Sequence, residues 1–279
     1  DIRPVMVFNG AAFLLNIVLD YVLVFGKLGI PAMGGAGAGW ATAIVMTFLL
    51  ICMAVYAQRS STMRALKLYS DFARVNIAAI VNILRLGVPI ALNIAAEIMF
   101  FAIIPLMIAH LGSDVVGAHA IAINIDSLAF MVPLGVASAL TIKVAMAEGA
   151  GDPTLARRYC IVGYKMVFML GLTTAALKIT LREDLAVLFS TDPNVQLIAA
   201  NLFLFAAALG SVDSLQMTAS GALRGYKDVR IPLLIQVVAF WGIAFPIAYS
   251  LALTDIWGEP MGVYGFWVGT IIGASCAGI

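Results

Sequence analysis

Residues 86–110 read LGVPIALNIAAEIMFFAIIPLMIAH, and this stretch decides the class of fold. Glu97 is its only acidic residue, and it contains no Lys or Arg. A helix that crosses the hydrocarbon core of a bilayer needs about 20 mostly apolar residues. The stretch therefore predicts a membrane-spanning helix. The composition agrees, because 63% of the 279 residues are hydrophobic and 11% are charged, against about 25% charged in soluble domains.

Seven further segments have the same apolar character. The predicted fold class is therefore an all-α integral membrane protein, a multi-helix bundle. The eight predicted spans are 4–25, 35–56, 86–110, 115–142, 159–180, 195–223, 232–253 and 261–278.

The basic residues predict the orientation of these spans. All but three of the 16 Lys and Arg residues fall on alternate connections, and the other connections hold only Lys27, Lys178 and Arg182. Loops rich in Lys and Arg stay in the cytoplasm, so the first span enters from that side. The longest polar connection covers 57–85. Within it, residues 66–84 place apolar residues at near-helical spacing between charges, which predicts an amphipathic helix on the cytoplasmic membrane face.

A weak internal repeat relates the two ends of the chain at an offset of 228 residues. An even number of helices separates the copies, which predicts a parallel repeat. Residues 1–57 are then the last two helices of an N-terminal lobe, 58–85 a cytoplasmic linker, and 86–279 a C-terminal lobe of six helices. The matched pairs include Pro4 and Pro232, Tyr21 and Tyr249, Met33 and Met261, Gly34 and Gly262, Gly37 and Gly265, and Thr42 and Thr270.

Four acidic residues fall at membrane depth, where a charge marks a transport pathway or a paired site. Glu97 follows Asn93 by one helical turn, and its own helix offers no basic partner. We expect a cation or proton site there, with a protonated Glu bonded to a neighbouring helix as the alternative. Asp213 begins a polar stripe with Gln216 and Ser220, which suits a helix that faces a wet cavity or one that bonds a neighbouring helix.

The two remaining acids lie in other predicted spans. Asp20 shares a helix face with Asn16, and Thr42 on the next helix could complete a cluster of oxygen ligands for a hard cation. An interhelical polar clasp is the alternative. Asp126 lies beside Asn124, and a functional role and structural pairing stay equally open for it. We treat Asn93, Asp126, Gln216 and Ser220 as candidates for lining a polar cavity.

Other classes of function find little support in the sequence. The net charge of +1 gives no reason to expect nucleic acid as a partner. Signatures of hydrolases, zinc enzymes or paired cysteines are missing, so no catalytic residue and no cofactor is predicted. Prolines inside three predicted helices favour helices that bend around a cavity. These are Pro105, Pro133 and Pro246.

Six segments of the chain form a recognisable set in this order and at these spacings. They are 16–26, GGAGAGWAT at 34–42, LGVPI at 86–90, GAH at 117–119, MVPLG at 131–135 and GALRGYKD at 221–228. Through them, and over nearly its whole length, the chain resembles the multidrug and toxic compound extrusion (MATE) family, in its NorM-like branch. The resemblance implies twelve helices in two six-helix lobes around a central cavity, with this chain covering helices five to twelve.

The resemblance also implies a function. Family members export cationic, amphipathic drugs and other xenobiotics by alternating access, in exchange for Na⁺ or H⁺. We therefore expect a cation-coupled antiporter and not an enzyme, located in the plasma membrane, a bacterial inner membrane. We expect a monomer whose partners are membrane lipid and small organic cations. The alternatives are a lipid-linked saccharide flippase of the same superfamily, an intramembrane enzyme and a non-transporting scaffold.

Five residues match family cation sites. Glu97 and Asp213 occupy the positions of the NorM-like site, so Na⁺ is the only metal ion that the resemblance implies there. Asn16, Asp20 and Thr42 match a first-lobe site. The chain departs from the family in having Leu209 where some relatives have Tyr, and Ala120 where Gln is common.

Overall fold

The computed structural model describes residues 3–60 and 76–278. It divides into two compact units, and the division falls between Asn76 and Ile77. All regular elements of the described residues are helices, which confirms the predicted all-α class.

The first unit is a hairpin of two helices, α1 (Arg3–Phe25) and α2 (Gly35–Arg59). The chain reverses through Gly34, whose positive φ of 53° suits a residue without a Cβ. The helices approach closely at Gly37, where an added Cβ would lie 2.6 Å from the Leu23 carbonyl oxygen. The glycine cluster therefore makes a turn and a tight helix contact, as small residues do between membrane helices.

The second unit contains α3 (Ile77–Ile108), α4 (Ser113–Gly149), α5 (Pro153–Thr180), α6 (Arg182–Phe189), α7 (Pro193–Gly225), α8 (Arg230–Val237), α9 (Phe245–Leu253) and α10 (Val263–Gly278). Helix α7 is the most buried of its membrane spans, and it packs against α4, α5, α6 and α10. It begins at an Asp-Pro pair in which Asp192 accepts a hydrogen bond from the Asn194 backbone N–H at 2.8 Å. This is a favoured start for a helix.

A π-helical segment, Val238–Ala244, joins α8 to α9, so Arg230–Leu253 forms one helical run. The run changes from π to α geometry directly before Pro246. Proline has no N–H to donate to the preceding turn, and local π geometry is a common adjustment in such helices. The helical irregularity next to Pro246 takes the form of a π-helix.

The repeat is visible in the backbone hydrogen bonds of each unit. In the first unit the Met33 N–H donates to the Leu23 oxygen at 3.0 Å, and in the second the Met261 N–H donates to the Leu251 oxygen at 2.9 Å. Gly262 has a φ of 59°, like Gly34. A Cβ at Gly265 would lie 2.6 Å from the Ala252 nitrogen. The same turn and the same close contact are thus built twice, at the predicted offset.

Two predicted boundaries need correction. Helix α3 begins at Ile77 and not at 86, so residues 77–84 extend a spanning helix and do not form part of a separate amphipathic one. The rest of the predicted amphipathic stretch falls at 61–75, outside the described residues. Among the described residues, seven helices are long and apolar enough to cross a membrane, whereas the eighth predicted span, 261–278, is the shorter apolar helix Val263–Gly278.

Large apolar side chains cover much of the outer surface of these helices. Phe13 in α1, Leu128 in α4 and Met169 in α5 are each at least 65% exposed. Water would not tolerate so much contiguous apolar surface on a soluble protein. Lipid chains cover it at no such cost, and the helices are long enough to span them.

The contact at Gly265 yields a test of the packing. Changing Gly265 to Ala should destabilise the protein by about 1–3 kcal/mol, since the new methyl group would press on the backbone of α9. Thermal unfolding of the purified protein in detergent measures this. Gly135, exposed in α4 with nothing within 4 Å, is the matched control, and Gly135→Ala should not lower the melting temperature. Equal melting temperatures for the two variants would contradict the close packing.

Candidate functional site

Two acidic side chains of the second unit lie within electrostatic reach of a third, Asp213. Asp213 in α7 interacts with Glu97 in α3 and with Asp126 in α4. Asp213 and Asp126 are buried, and Glu97 is half-buried. The structure thus brings together residues that the sequence places on three separate helices.

A chain of hydrogen bonds leads from Glu97 into the core. The Gln236 amide in α8 donates from Nε2 to Glu97 Oε2 at 3.3 Å. Gln236 Oε1 in turn accepts from Nε2 of Gln216 in α7. Gln236 is only 1% exposed, and the sequence analysis did not single it out. Glu97 therefore has a neutral amide as its hydrogen-bond donor, which leaves its charge uncompensated by that bond.

Arg224, at the end of α7, supplies positive charge near this chain. It donates from Nη2 to Oδ1 of Asn93 at 3.1 Å, while Asn93 Nδ2 donates to the Pro232 oxygen at 3.2 Å. Arg224 also interacts electrostatically with Glu97. The sequence offered Glu97 no basic partner on its own helix. The basic group comes from α7, and within the described residues it does not form an ion pair with Glu97.

Trp241 links the π-helical segment to the same part of α3. Its indole Nε1 donates to the Ala96 oxygen at 3.1 Å, at the residue directly before Glu97. The Trp241 ring also packs edge to face against Phe100, one turn after Ala96. The π-helical segment therefore carries an aromatic side chain, Trp241, that contacts α3 both before and after Glu97.

Asp213 has an unsatisfied oxygen. Its Oδ1 is buried and lacks a hydrogen-bond partner among the described residues, as does Oε1 of Gln216 one turn later. A buried acceptor without a partner is costly unless a donor or cation arrives. Both oxygens are hard ligands of the type that binds Na⁺. Protonation of Asp213 would equally supply a hydrogen-bond donor at this place. Along the predicted polar stripe of α7, Asp213 and Gln216 thus each have an open acceptor oxygen. Ser220, farther along the same stripe, is also buried.

Asp126 forms a salt bridge inside the bundle, the structural pairing that was one of the two alternatives left open for it. Its Oδ1 accepts from Nζ of Lys178 in α5, and Lys178 also donates to the Ala206 oxygen at 3.1 Å. Both side chains are buried. The assignment of Lys178 to a connection between spans was wrong, because it lies within α5 and faces the core.

The sequence contained a signal for Lys178. The buried face of α5 is a stripe of small or apolar residues at helical spacing, and Lys178 continues that stripe. Its members are Ala156, Gly163, Val167, Gly171 and Lys178.

The first-unit candidates are less closely associated. The Thr42 hydroxyl donates to the Ala38 oxygen of its own helix at 3.0 Å and is exposed. Asp20 Oδ1 is buried and lacks a hydrogen-bond partner among the described residues, and Asn16 is half-buried. Within those residues no hydrogen bond joins Asn16, Asp20 and Thr42. Asp20 therefore has the open acceptor of a cation site, and Thr42 points its hydroxyl proton elsewhere.

A bundle of apolar spanning helices with clustered buried acids defines a multi-pass integral membrane protein. A family model described as MatE matches residues 89–250, and the chain belongs to this family, which confirms the resemblance. The multidrug resistance protein PmpM of Pseudomonas aeruginosa is 40% identical over 277 residues, covering 99% of this chain and 58% of that protein. The multidrug resistance protein NorM of Vibrio vulnificus is 40% identical over 275 residues, covering 99% and 60%.

Solved structures agree with the fold. The eukaryotic MATE transporter AtDTX14 superposes with a TM-score of 0.88 at 22% identity, covering 99% of this chain and 60% of that one. A MATE structure in the bent conformation gives 0.82 at 20% identity, covering 100% and 60%. The chain therefore spans about 60% of the length of the relatives it matches. Family and helices together place it in the plasma membrane as a multi-pass protein.

The amide chain beside Glu97 can be tested by unfolding. Gln236→Leu should destabilise the protein by about 1–3 kcal/mol, because the buried Gln216 amide loses its acceptor. The double variant Gln216→Leu/Gln236→Leu should recover part of this loss, since both polar partners are then gone. Melting temperatures in detergent check both expectations. A double variant that loses as much stability as the sum of the two single changes, or more, would rule out this pairing.

Proposed function

We propose that this chain is part of a cation-coupled efflux antiporter that exports small organic cations and other xenobiotics. The observation that carries the proposal is the Asp213 carboxylate, buried with an open oxygen and within electrostatic reach of Glu97. Neither acid forms an ion pair with Lys or Arg within the described residues. Two carboxylates without an ion-pair partner in the interior of the bundle are suited to bind a small cation and to release it again.

The coupling follows from the charge that the cation supplies. Neutralising one carboxylate changes its interaction with a charge 4 Å away by about 4 kcal/mol at an effective dielectric constant of 20. Such a change is large enough to shift a two-state helix bundle. Na⁺ or H⁺ bound at Glu97 and Asp213 would favour the state that releases drug outside. Drug bound from the cytoplasm or the inner leaflet would favour the state that releases the cation.

The proposed class of substrate is supported by the charge of the acidic side chains and by the names of the similar proteins. Acidic side chains at membrane depth attract cations, and apolar helix surfaces suit amphipathic molecules. The similar proteins PmpM and NorM are named multidrug resistance proteins. We propose that this chain's protein acts on the same class of compound, as a monomer, and that it is a transporter and not an enzyme.

A lipid-linked saccharide flippase is the weaker candidate. Such a protein should carry a strongly basic cavity for the phosphates of its substrate. Lys178 and Arg224 are the basic side chains that approach the acids, and the first is held by Asp126 and the second by Asn93. The charge left open in the described interior is negative, which favours cationic substrates.

We also propose a second cation position in the first unit, at Asn16, Asp20 and Thr42. Its support is the buried, unpartnered Oδ1 of Asp20. Asn16 lies one turn earlier on the same face of α1 and offers an amide oxygen. Thr42 keeps its oxygen available as an acceptor while its hydroxyl proton goes to Ala38.

The main proposal is tested with the full-length protein in vesicles loaded with a cationic dye. Na⁺ and pH gradients are imposed separately, which also identifies the coupling ion. Glu97→Gln and Asp213→Asn should each reduce gradient-driven efflux to background, because the carboxylate that holds the cation is removed. Glu148→Gln, which changes an exposed acid at the end of α4, is the control and should export normally. Normal efflux by both site variants at normal expression would reject the assigned roles.

The second position has a matched pair of threonines. Thr42 and Thr47 are both exposed on α2 and both donate to the carbonyl four residues earlier. Asp20→Asn and Thr42→Val should lower the rate of dye efflux, since each removes an oxygen from the proposed position, whereas Thr47→Val should not. The same assay measures the three rates. Equal rates for Thr42→Val and Thr47→Val would exclude Thr42 from the position.

A further inference from the structure

The Asp126 and Lys178 pair lies against the face of α7 that carries Asp213. A Cβ added to Gly210 would lie 2.8 Å from Lys178 Nζ and 3.1 Å from Asp126 Oδ1. Gly210 precedes Asp213 by three residues, so the two share a face of the helix. Glycine at this place leaves room for the pair without any shift of the Lys178 ammonium. The ion pair and the open carboxylate are therefore neighbours along one helix.

Lys178 has bonding capacity beyond its present contacts. A lysine ammonium has three N–H donors, and the described contacts use two of them, to Asp126 and to the Ala206 oxygen. Lys178 also interacts electrostatically with Asp213, whose Oδ1 has no hydrogen-bond partner among the described residues. A lysine carries its charge on a flexible four-carbon stem. The unused N–H donor of Lys178 and the open oxygen of Asp213 thus belong to two groups of opposite charge that attract each other.

We infer that Lys178 is a tethered competitor of the coupling cation at Asp213, with Asp126 as the anchor that holds it back. When no cation is bound, the ammonium compensates the charge of Asp213. When a cation arrives, it displaces this attraction and Lys178 rests fully on Asp126. The inference builds on the proposed antiport and adds two affinity-setting residues to it.

The physical reason for such a competitor is that the coupling cation has to leave Asp213 again. A buried carboxylate without compensation is so costly that it would hold a cation too tightly to let it go. A lysine already within reach lowers the cost of the empty state and therefore lowers the affinity for the cation. Asp126 limits this effect, because it draws the same ammonium away from Asp213. The two residues should thus act on the cation affinity in opposite directions.

The first test measures the concentration of driving cation that gives half-maximal dye efflux by the full-length protein in vesicles. Lys178→Gln should lower this concentration about tenfold or more, and Asp126→Asn should raise it by a similar factor, as removal of one nearby charge predicts. The Na⁺ gradient at fixed pH and the proton gradient without Na⁺ form separate arms. Arg182→Gln, which removes a partly exposed cation two residues past the end of α5, is the matched control and should change neither arm.

The outcomes separate the inference from the antiport. Wild-type efflux in one arm, with half-maximal concentrations that shift in the same direction for both variants, would show a purely structural pair. Unchanged concentrations would likewise overturn the inference, while the antiport would stand. Absence of wild-type efflux in both arms would reject the antiport itself.

A second measurement does not depend on transport, so it also applies to variants that fail to export the dye. In the Asp126→Asn background Lys178 should turn to Asp213, so a further Asp213→Asn change would leave the ammonium without a carboxylate. Asp213→Asn should therefore lower the melting temperature more in that background than in the wild type, a coupling of the kind that double-mutant cycles detect. Equal effects of Asp213→Asn in both backgrounds would mean that Lys178 does not reach Asp213.

Discussion

The structure depends on how a bundle of apolar helices compensates the few charges that it buries. Hydrocarbon offers no solvent for a carboxylate, so each buried acid needs a partner from within the bundle. Asp126 has Lys178, and Glu97 has the Gln236 amide and the distant charge of Arg224. Asp213 retains an open oxygen. This unequal compensation is the basis for proposing a cation site at Asp213 and Glu97 and a helix-joining role for the ion pair itself.

Helix α7 brings these groups together because it lies at the centre of the second unit. One of its faces meets the lysine of α5 and the acid of α4 at Gly210. Another region joins α8 through the bond between Gln216 and Gln236, and Arg224 at its end reaches Asn93 of α3. A displacement of α7 would therefore alter all three contacts together. Such shared contacts suit a bundle in which occupancy of one carboxylate has to affect distant helices.

Glycine makes these approaches geometrically feasible. The repeated turns at Gly34 and Gly262 have positive φ, and Gly37 and Gly265 each lie against the backbone of the preceding helix. Without a hydrophobic driving force between helices in lipid, close packing supplies the association energy. The same hydrogen bonds recur in both units. The repeat thus preserves the residues that allow contact, while most of the surrounding apolar residues differ between its two copies.

The sequence by itself determined the helical membrane class, the approximate spans, the repeated turn and the family, because apolar length, glycine positions and motif order are local properties of the chain. It also identified Glu97 and Asp213, since an acid in an apolar run is conspicuous. It did not place the start of α3 at Ile77, and it missed Gln236 as a bridge and Lys178 as the partner of Asp126. Those facts concern contacts between helices distant in sequence, and only tertiary packing decides which face of α5 or α8 turns inward.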